Sequence, residues 1–174
     1  QIIAEKIPPL VSKAASIIIK TFESGKKLYA CGNGGSACDA VHIVEELVAR
    51  YKKERPPLPA YSLIDPFIIT CWSNDYSFED VFRRQVEAYG RKGDVLLAIS
   101  TSGNSENVLR ALKEAKKQNM KTISFLGRDG GRMKGMANLD IIVPSYTTAR
   151  IQEVHTLIIH SLLEAVENKI YGHL

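Results

Sequence analysis

His42 and Glu46 stand four residues apart in KLYACGNGGSACDAVHIVEELVAR, residues 27–50. On a helix, positions i and i+4 share a face. That spacing suits two ligands on one metal ion, or a carboxylate base beside an imidazole that orients it. A solvated surface pair is the competing reading. Glu45 falls on the exposed face, and Val41, Val44 and Val48 mark the buried side. Near the end of the chain, Gln152, Glu153, His155 and His160 interrupt an apolar run from Ile151 to Leu163. Polar groups in so apolar a helix need partners. His155 reads as a satisfied core residue. Gln152 and His160 are separated by about 12 Å of helix rise. With bonds near ~2.1 Å, one ion can hardly take both from one straight helix. If both serve one site, they are expected to come from different subunits, and the apolar last helix suits burial in a helix-packed oligomer.

Two turns of small residues could hold a ligand beside these groups. The first is Gly32-Asn33-Gly34-Gly35-Ser36, between a short apolar strand and a helix that begins near Ala37. Glycines let backbone N–H groups approach a ligand closely, and a helix N-terminus attracts anions. Gly32 to Ala37 also matches the G-x-G-x-x-A dinucleotide fingerprint. That fingerprint wants an acid about 20 residues on, at the end of the second strand, and Asp65 lies well beyond that spacing. No Gly-Lys-Ser/Thr of a Walker loop is present. The second turn is Ser100-Thr101-Ser102-Gly103-Asn104-Ser105, again between a strand and a helix. Capping one helix needs one such polar residue. Four hydroxyls in six residues suit a phosphate monoester held by hydroxyls and helix N–H groups.

The elements that must position these groups follow from periodicity and punctuation. Apolar residues at helical spacing predict a helix over 10–23, stopped by Gly25. A strand over 28–31, the first turn and its helix come next. Pro56, Pro57 and Pro59 lead into a strand over 60–64. Residues 66–73 are apolar and fit a short helix or a strand, and Asn74-Asp75 reads as a turn. Residues 76–89 read as a helix, 94–100 as a strand, 106–118 as a helix and 121–126 as a strand. A glycine- and basic-rich connection over 127–137 precedes a strand over 140–143 and a helix over 149–170. Strands alternating with helices imply an α/β fold, a parallel sheet with helices on both faces. In a flavodoxin-like order, strands one and three are neighbours at the switch point. Both turns would then open onto one crevice.

At 174 residues the chain fits one domain with a real core, and its 45% hydrophobic and 24% charged residues are those of a globular protein. The net charge of +4 is spread out, with no basic stripe carrying aromatics, so nucleic acid is not an expected partner. Cys31, Cys38 and Cys71 form no CxxC pair, which favours a reducing cytosol over a disulfide framework. Cys31 ends a strand and reads as a core residue. No apolar run reaches the ~18–20 residues of a membrane span. No signal peptide is visible in the chain, which begins at Gln1.

Several separated stretches carry a resemblance in order along nearly the whole chain. They are CGNGGSACDAVHIVEELVARYKKERPPLPA, SNDYSFEDVFRRQVEAYGRKGDVLLAISTSGNSENVLRALKEAK, GRDGGRMKGMANLDIIVPS and ARIQEVHTLIIHSLLE. Together they resemble the phosphoheptose (sedoheptulose 7-phosphate) isomerases of the sugar isomerase (SIS) domain superfamily. The resemblance implies a single SIS domain over 1–174, a flavodoxin-like doubly wound sheet of five parallel strands. It implies a cytoplasmic homotetramer with active sites shared between subunits, to whose packing helix 1–24 contributes. It implies interconversion of D-sedoheptulose 7-phosphate and D-glycero-D-manno-heptose 7-phosphate through an enediol. That is the first step towards ADP- or GDP-activated heptose, as used in lipopolysaccharide. Substrate contacts would fall on Asn33, Gly34, Ser36, Glu46, Asn74, Asp75, Ser100, Thr101, Ser102, Ser105 and Gln152. Zinc, one ion per subunit, would be bound by His42, Glu46, Gln152 and His160, with no nucleotide cofactor. Glu46 and His160 would be catalytic, and Glu46 is ligand, base or both. Ala37 stands where some members carry histidine, Cys71-Trp72-Ser73 where small residues are usual, and the segment before Arg150 is short. The alternative within the superfamily is a non-catalytic sugar-phosphate-binding or replication-initiator-binding protein.

Overall fold

Five short, almost wholly apolar runs form one parallel sheet in the computed structural model, which describes residues 2–172. Gln1, in the predicted first helix, lies outside the described residues. The elements are α1 (Ile2–Glu23), β1 (Leu28–Cys31), α2 (Gly35–Val48), β2 (Ala60–Ser62), α3 (Pro66–Asp75), α4 (Val81–Tyr89), β3 (Val95–Ser100), α5 (Glu106–Lys117), β4 (Lys121–Gly127), β5 (Leu139–Val143) and α6 (Thr148–Tyr171). Short 3-10 turns at Phe78–Asp80 and Gly131–Met133 complete the set.

The strand order is β2-β1-β3-β4-β5, parallel throughout. This is the expected flavodoxin-like order, and it makes β1 and β3 neighbours. Side chains alternate across the strands. Val95, Leu97 and Ile99 of β3 join Leu28 and Ala30 of β1 in a core beneath α1, α2 and α6. Leu96 and Ala98, with Tyr29 and Cys31, face α4 and α5. All six residues of β3 are buried, as a central strand covered on both faces requires.

Several boundaries differ from the sequence reading. α1 begins at Ile2 and contains Pro8 and Pro9. α2 begins at Gly35, two residues early. β2 ends at Ser62, although Leu63 N–H still donates to Ala30 O. Residues 76–89 divide into a 3-10 turn and α4. Asn74-Asp75 is not a turn but the last pair of α3. Asp65 accepts from the N–H groups of Phe67 and Ile68, and Pro66 opens the helix, so this is a capped helix start. That role commits the Asp65 carboxylate, the one acid a dinucleotide reading had considered. The buried side of α2 is also corrected. Ala40, Ile43 and Leu47 face the sheet, while Val41 and Val48 are each 43% exposed. Small and apolar residues occur nearly all round this helix, so residue type alone misassigned its inner face.

His155 is fully buried beside Phe125, with Nε2 3.2 Å from Leu126 O and Nδ1 unpartnered among the described residues. The core placement matches the sequence reading, but only one ring nitrogen is satisfied. Burial pushes this imidazole down from its ordinary 6.5 to about 4, against the Leu126 hydrogen bond. The unfolded chain therefore binds a proton that the folded chain excludes. Stability from this group is complete above pH 6.5 and is lost as pH falls towards 4, by about 3 kcal/mol in all. Urea titrations from pH 7 to 4.5 should show this slope, and His155→Leu should flatten it. An unchanged slope in that variant would place the proton elsewhere.

Candidate active site

Two neighbouring strands deliver the two turns to one end of the sheet. β1 runs into Gly32–Ser36, and β3 runs into Thr101–Ser105. A reciprocal amide pair stitches them together. Asn33 Nδ2 donates to Asn107 Oδ1 at 2.8 Å, and Asn107 Nδ2 donates to Asn33 Oδ1 at 2.9 Å. Asn107 escaped the sequence reading, although a polar residue on the inward stripe of α5 needs a partner.

In the second turn the hydroxyls face one another and the backbone. Ser100 Oγ lies 3.0 Å from Ser105 Oγ and accepts from Gly103 N–H at 3.2 Å. Ser102 Oγ accepts from Asn104 N–H. Ser105 occupies the N-cap position of α5 yet makes no capping bond. Capping therefore does not account for this hydroxyl, and the positive end of α5 stays available to an anion. The turn after β4 presses against it, because Arg132 N–H donates to Asn104 Oδ1 at 3.0 Å, while Gly131 N–H donates to Asp129 Oδ1 within its own turn.

The groups able to move protons or hold metal lie on α2 and α6. The two helices pack in parallel with a constant offset. Gln152 lies over Gly35, Thr156 Oγ1 donates to Asp39 Oδ1 at 3.1 Å, and the His160 ring meets the His42 ring edge-on at 5.1 Å. A Cβ at position 35 would fall on the Gln152 amide, so only glycine permits this approach. His42 Nε2 is 3.5 Å from Glu46 Oε1, and both side chains are half-buried. Tyr51 also stacks on His160, with ring centres 6.2 Å apart. Burial raises the Asp39 carboxyl above its ordinary value, against a Thr156 hydrogen bond and the field of His42.

His42 thus meets both Glu46 and His160 within one chain. Gln152 does not join them and sits two helical turns away, at the first turn. Asn33, Gly34, Ser36 and Gln152 form one group with Ser100–Ser105 across the Asn33–Asn107 bridge. Asn74 and Asp75 stand apart on exposed α3, paired with each other at 2.8 Å. Glu45, assigned to the exposed face, is exposed, yet its carboxylate can lie within 4.8 Å of ligand atoms on His42 and Glu46. Two ligands on a tetrahedral ion with bonds near ~2.1 Å are roughly 3.4 Å apart. The His42–Glu46 separation fits that requirement.

Residues 2–127 match the family model of the SIS domain. The phosphoheptose isomerase of Fusobacterium nucleatum is 49% identical over 159 residues, which is 91% of this chain and 82% of the relative. That of Cytophaga hutchinsonii is 50% identical over 167 residues, 95% of this chain and 87% of the relative. The solved phosphoheptose isomerase of Francisella tularensis superposes with a TM-score of 0.91 at 40% identity, covering 95% of this chain and 88% of that one. The family model, these relatives and the solved structure agree, and the chain belongs to the phosphoheptose isomerase family of SIS-domain proteins.

Proposed function

We propose that this chain, a sugar-phosphate isomerase by family, interconverts D-sedoheptulose 7-phosphate and D-glycero-D-manno-heptose 7-phosphate. The observations that carry the chemistry are His42 in contact with both Glu46 and His160 on parallel helices, and a hydroxyl-rich anion cradle at the strand ends. Ser100, Thr101, Ser102 and Ser105 hold the phosphate with the first N–H groups of α5. Asn33, Gly34, Ser36 and Gln152 hold sugar hydroxyls, and Asn74 and Asp75 complete the pocket when the substrate or a second copy closes over it.

Aldose–ketose isomerisation moves one proton between C1 and C2 through an enediol. Glu46 takes the proton from one carbon and returns it to the other, while a proton passes between O1 and O2 so that the carbonyl becomes a hydroxyl and the neighbouring hydroxyl a carbonyl. His160 supplies the proton that opens the sugar ring at its oxygen and takes it back on closure. His42 orients the Glu46 carboxylate. His42, Glu46 and His160 also offer donor types for zinc, and Gln152, two turns away on α6, would join as a fourth only from another copy. Bound there, zinc would supply Lewis-acid polarisation of the substrate oxygens. Eleven residues of α2 separate Gly35 from Glu46, about 16 Å of rise. One chain's turns and its own Glu46 are thus far apart for one small sugar. This supports a homotetramer in which the turns of one copy face the α2–α6 pair of another, with Val41, Val48 and Leu157 covered between them. In this reading residues 1–174 form a single SIS domain, and α1 adds to the packing between copies. Among the described residues no helix is long and apolar enough to cross a membrane, and a cytosolic enzyme accords with three free cysteines.

The test is direct. Protein mixed with sedoheptulose 7-phosphate should yield the aldose by NMR. In heavy water the product should carry deuterium at the carbon that exchanged. A chelator should lower the rate, and zinc should restore it. No new sugar signal and no exchange would reject the assignment.

A further inference from the structure

The loop after α2 returns a buried guanidinium to the end of that helix. Arg55 Nη2 donates to Glu46 O at 2.7 Å, and Nη1 donates to Leu47 O at 2.8 Å and Pro56 O at 3.1 Å. Its Nε donates to Glu167 Oε2 of α6 at 3.2 Å. The two side chains are 1% and 4% exposed. Glu167 accepts in addition from the backbone N–H groups of Lys52 and Lys53, at 3.2 and 3.0 Å. The Tyr171 ring lies 5.8 Å from the guanidinium carbon.

The last carbonyls of a helix lack partners inside it, and they carry the negative end of its dipole. A lysine could answer that charge with one donor group. Here a planar fork reaches two successive carbonyls and a carboxylate at once, which a lysine cannot reproduce. One of those carbonyls belongs to Glu46 itself, in the last full turn of α2, where helices fray. The carboxylate that fixes the fork is seven residues beyond His160, on the same face of α6. A buried ion pair is by itself weak evidence for stability and is better attested as a device that sets register. We propose that Arg55 and Glu167 are positioning residues for the isomerisation. They hold the Glu46 backbone and, through it, set the Glu46 carboxylate against His42, whose ring meets His160. The proposal rests on the reading of Glu46 as the base.

Arg55→Lys and Glu167→Gln keep most of the local shape and reduce the fork. In variants with the parental far-UV spectrum, kcat should fall about 10- to 100-fold, the penalty of a small misplacement. KM for sedoheptulose 7-phosphate should stay within about twofold, because the phosphate cradle is untouched. The limb of the kcat–pH profile that reports the base should also move. Arg55→Met with Glu167→Leu should recover thermal midpoint relative to Glu167→Leu alone without recovering kcat. Parental kcat in any folded variant of this set would overturn the proposal. Hydrogen exchange on the unsubstituted protein needs no variant. The Lys52 and Lys53 amides, which look like loop, should be protected like core amides. Exchange at free-loop rates would overturn the brace. Glu46→Gln is the control that separates the two readings. If it is inactive while the brace variants turn over normally, the brace fails and the base stands. If it is active, the base assignment fails whatever the brace variants do.

Discussion

Glu46→Gln is expected to lower turnover by about 10²- to 10⁴-fold, the usual contribution of a positioned base. The amide keeps the shape of the carboxylate and cannot take a proton from carbon. Little in the fold depends on the charge. The side chain is half-buried, and its described polar approach is to His42 Nε2 at 3.5 Å. The helix end is held through the backbone, by Arg55. The thermal midpoint should therefore change little, and the loss should fall on kcat. Deuterium wash-in at the reacting carbon should be lost in parallel, because exchange and isomerisation share the enediol. A variant that isomerises normally would remove Glu46 from the chemistry. A variant that exchanges the carbon proton without isomerising would move its role to a later step.

Gly103→Ala should be the most damaging single-methyl change in the phosphate cradle. Gly103 has φ +65, in the left-handed region, and a Cβ there would fall on the carbonyl of Gly130 and 2.9 Å from Gly131 N. Both obstacles are backbone, so no rotamer change relieves them. Met133 N–H also donates to Gly103 O at 3.0 Å, which pins the turn from the other side. The substitution should cost about 2–4 kcal/mol, the sum of left-handed strain and displacement of a packed turn. It should also separate Gly103 N–H from Ser100 Oγ and raise KM for the phosphorylated sugar. Gly135→Ala is the matched control. Gly135 has φ +78 with nothing within 4 Å of an added Cβ. It should pay only the strain, about 1–2 kcal/mol, with KM unchanged. Equal losses in the two variants, by urea titration and steady-state kinetics, would show that the contact with Gly130 is immaterial.

The sheet was readable because each strand is a short apolar run bounded by glycine, proline or a polar turn. The alternation with helices then makes the sheet parallel, and the flavodoxin-like order β2-β1-β3-β4-β5 places the two turns side by side. The periodic reading failed where apolar residues surround a helix. On α2, Val41 and Val48 are as apolar as Ile43 and Leu47, and only the tertiary direction of the sheet decides between them. Asn74-Asp75 was misread for another reason. That pair favours turns, whereas the cap that starts the helix, Asp65-Pro66, stands nine residues upstream and carries the stronger local signal. The spacing of Gln152 and His160 argues against a shared ion from one straight helix, and α6 does keep the two residues on one continuous helix. That His160 would meet His42 of its own chain depends on the parallel packing of α2 and α6, which no local pattern encodes. The Arg55–Glu167 contact spans 112 residues and lies equally outside local pattern.

The parallel run of α2 beside α6 also sets how this chain can vary in length. Gln152 on Gly35, Thr156 on Asp39 and His160 on His42 keep step over more than two turns. One residue inserted between positions 152 and 160 would rotate everything beyond it by about 100°. The imidazole would leave its partner while the amide stayed in place. Loops after the strands can lengthen or shorten without that consequence. Tolerance to insertion should therefore be lowest in the interior of the last helix, a segment that touches neither turn after its first residues.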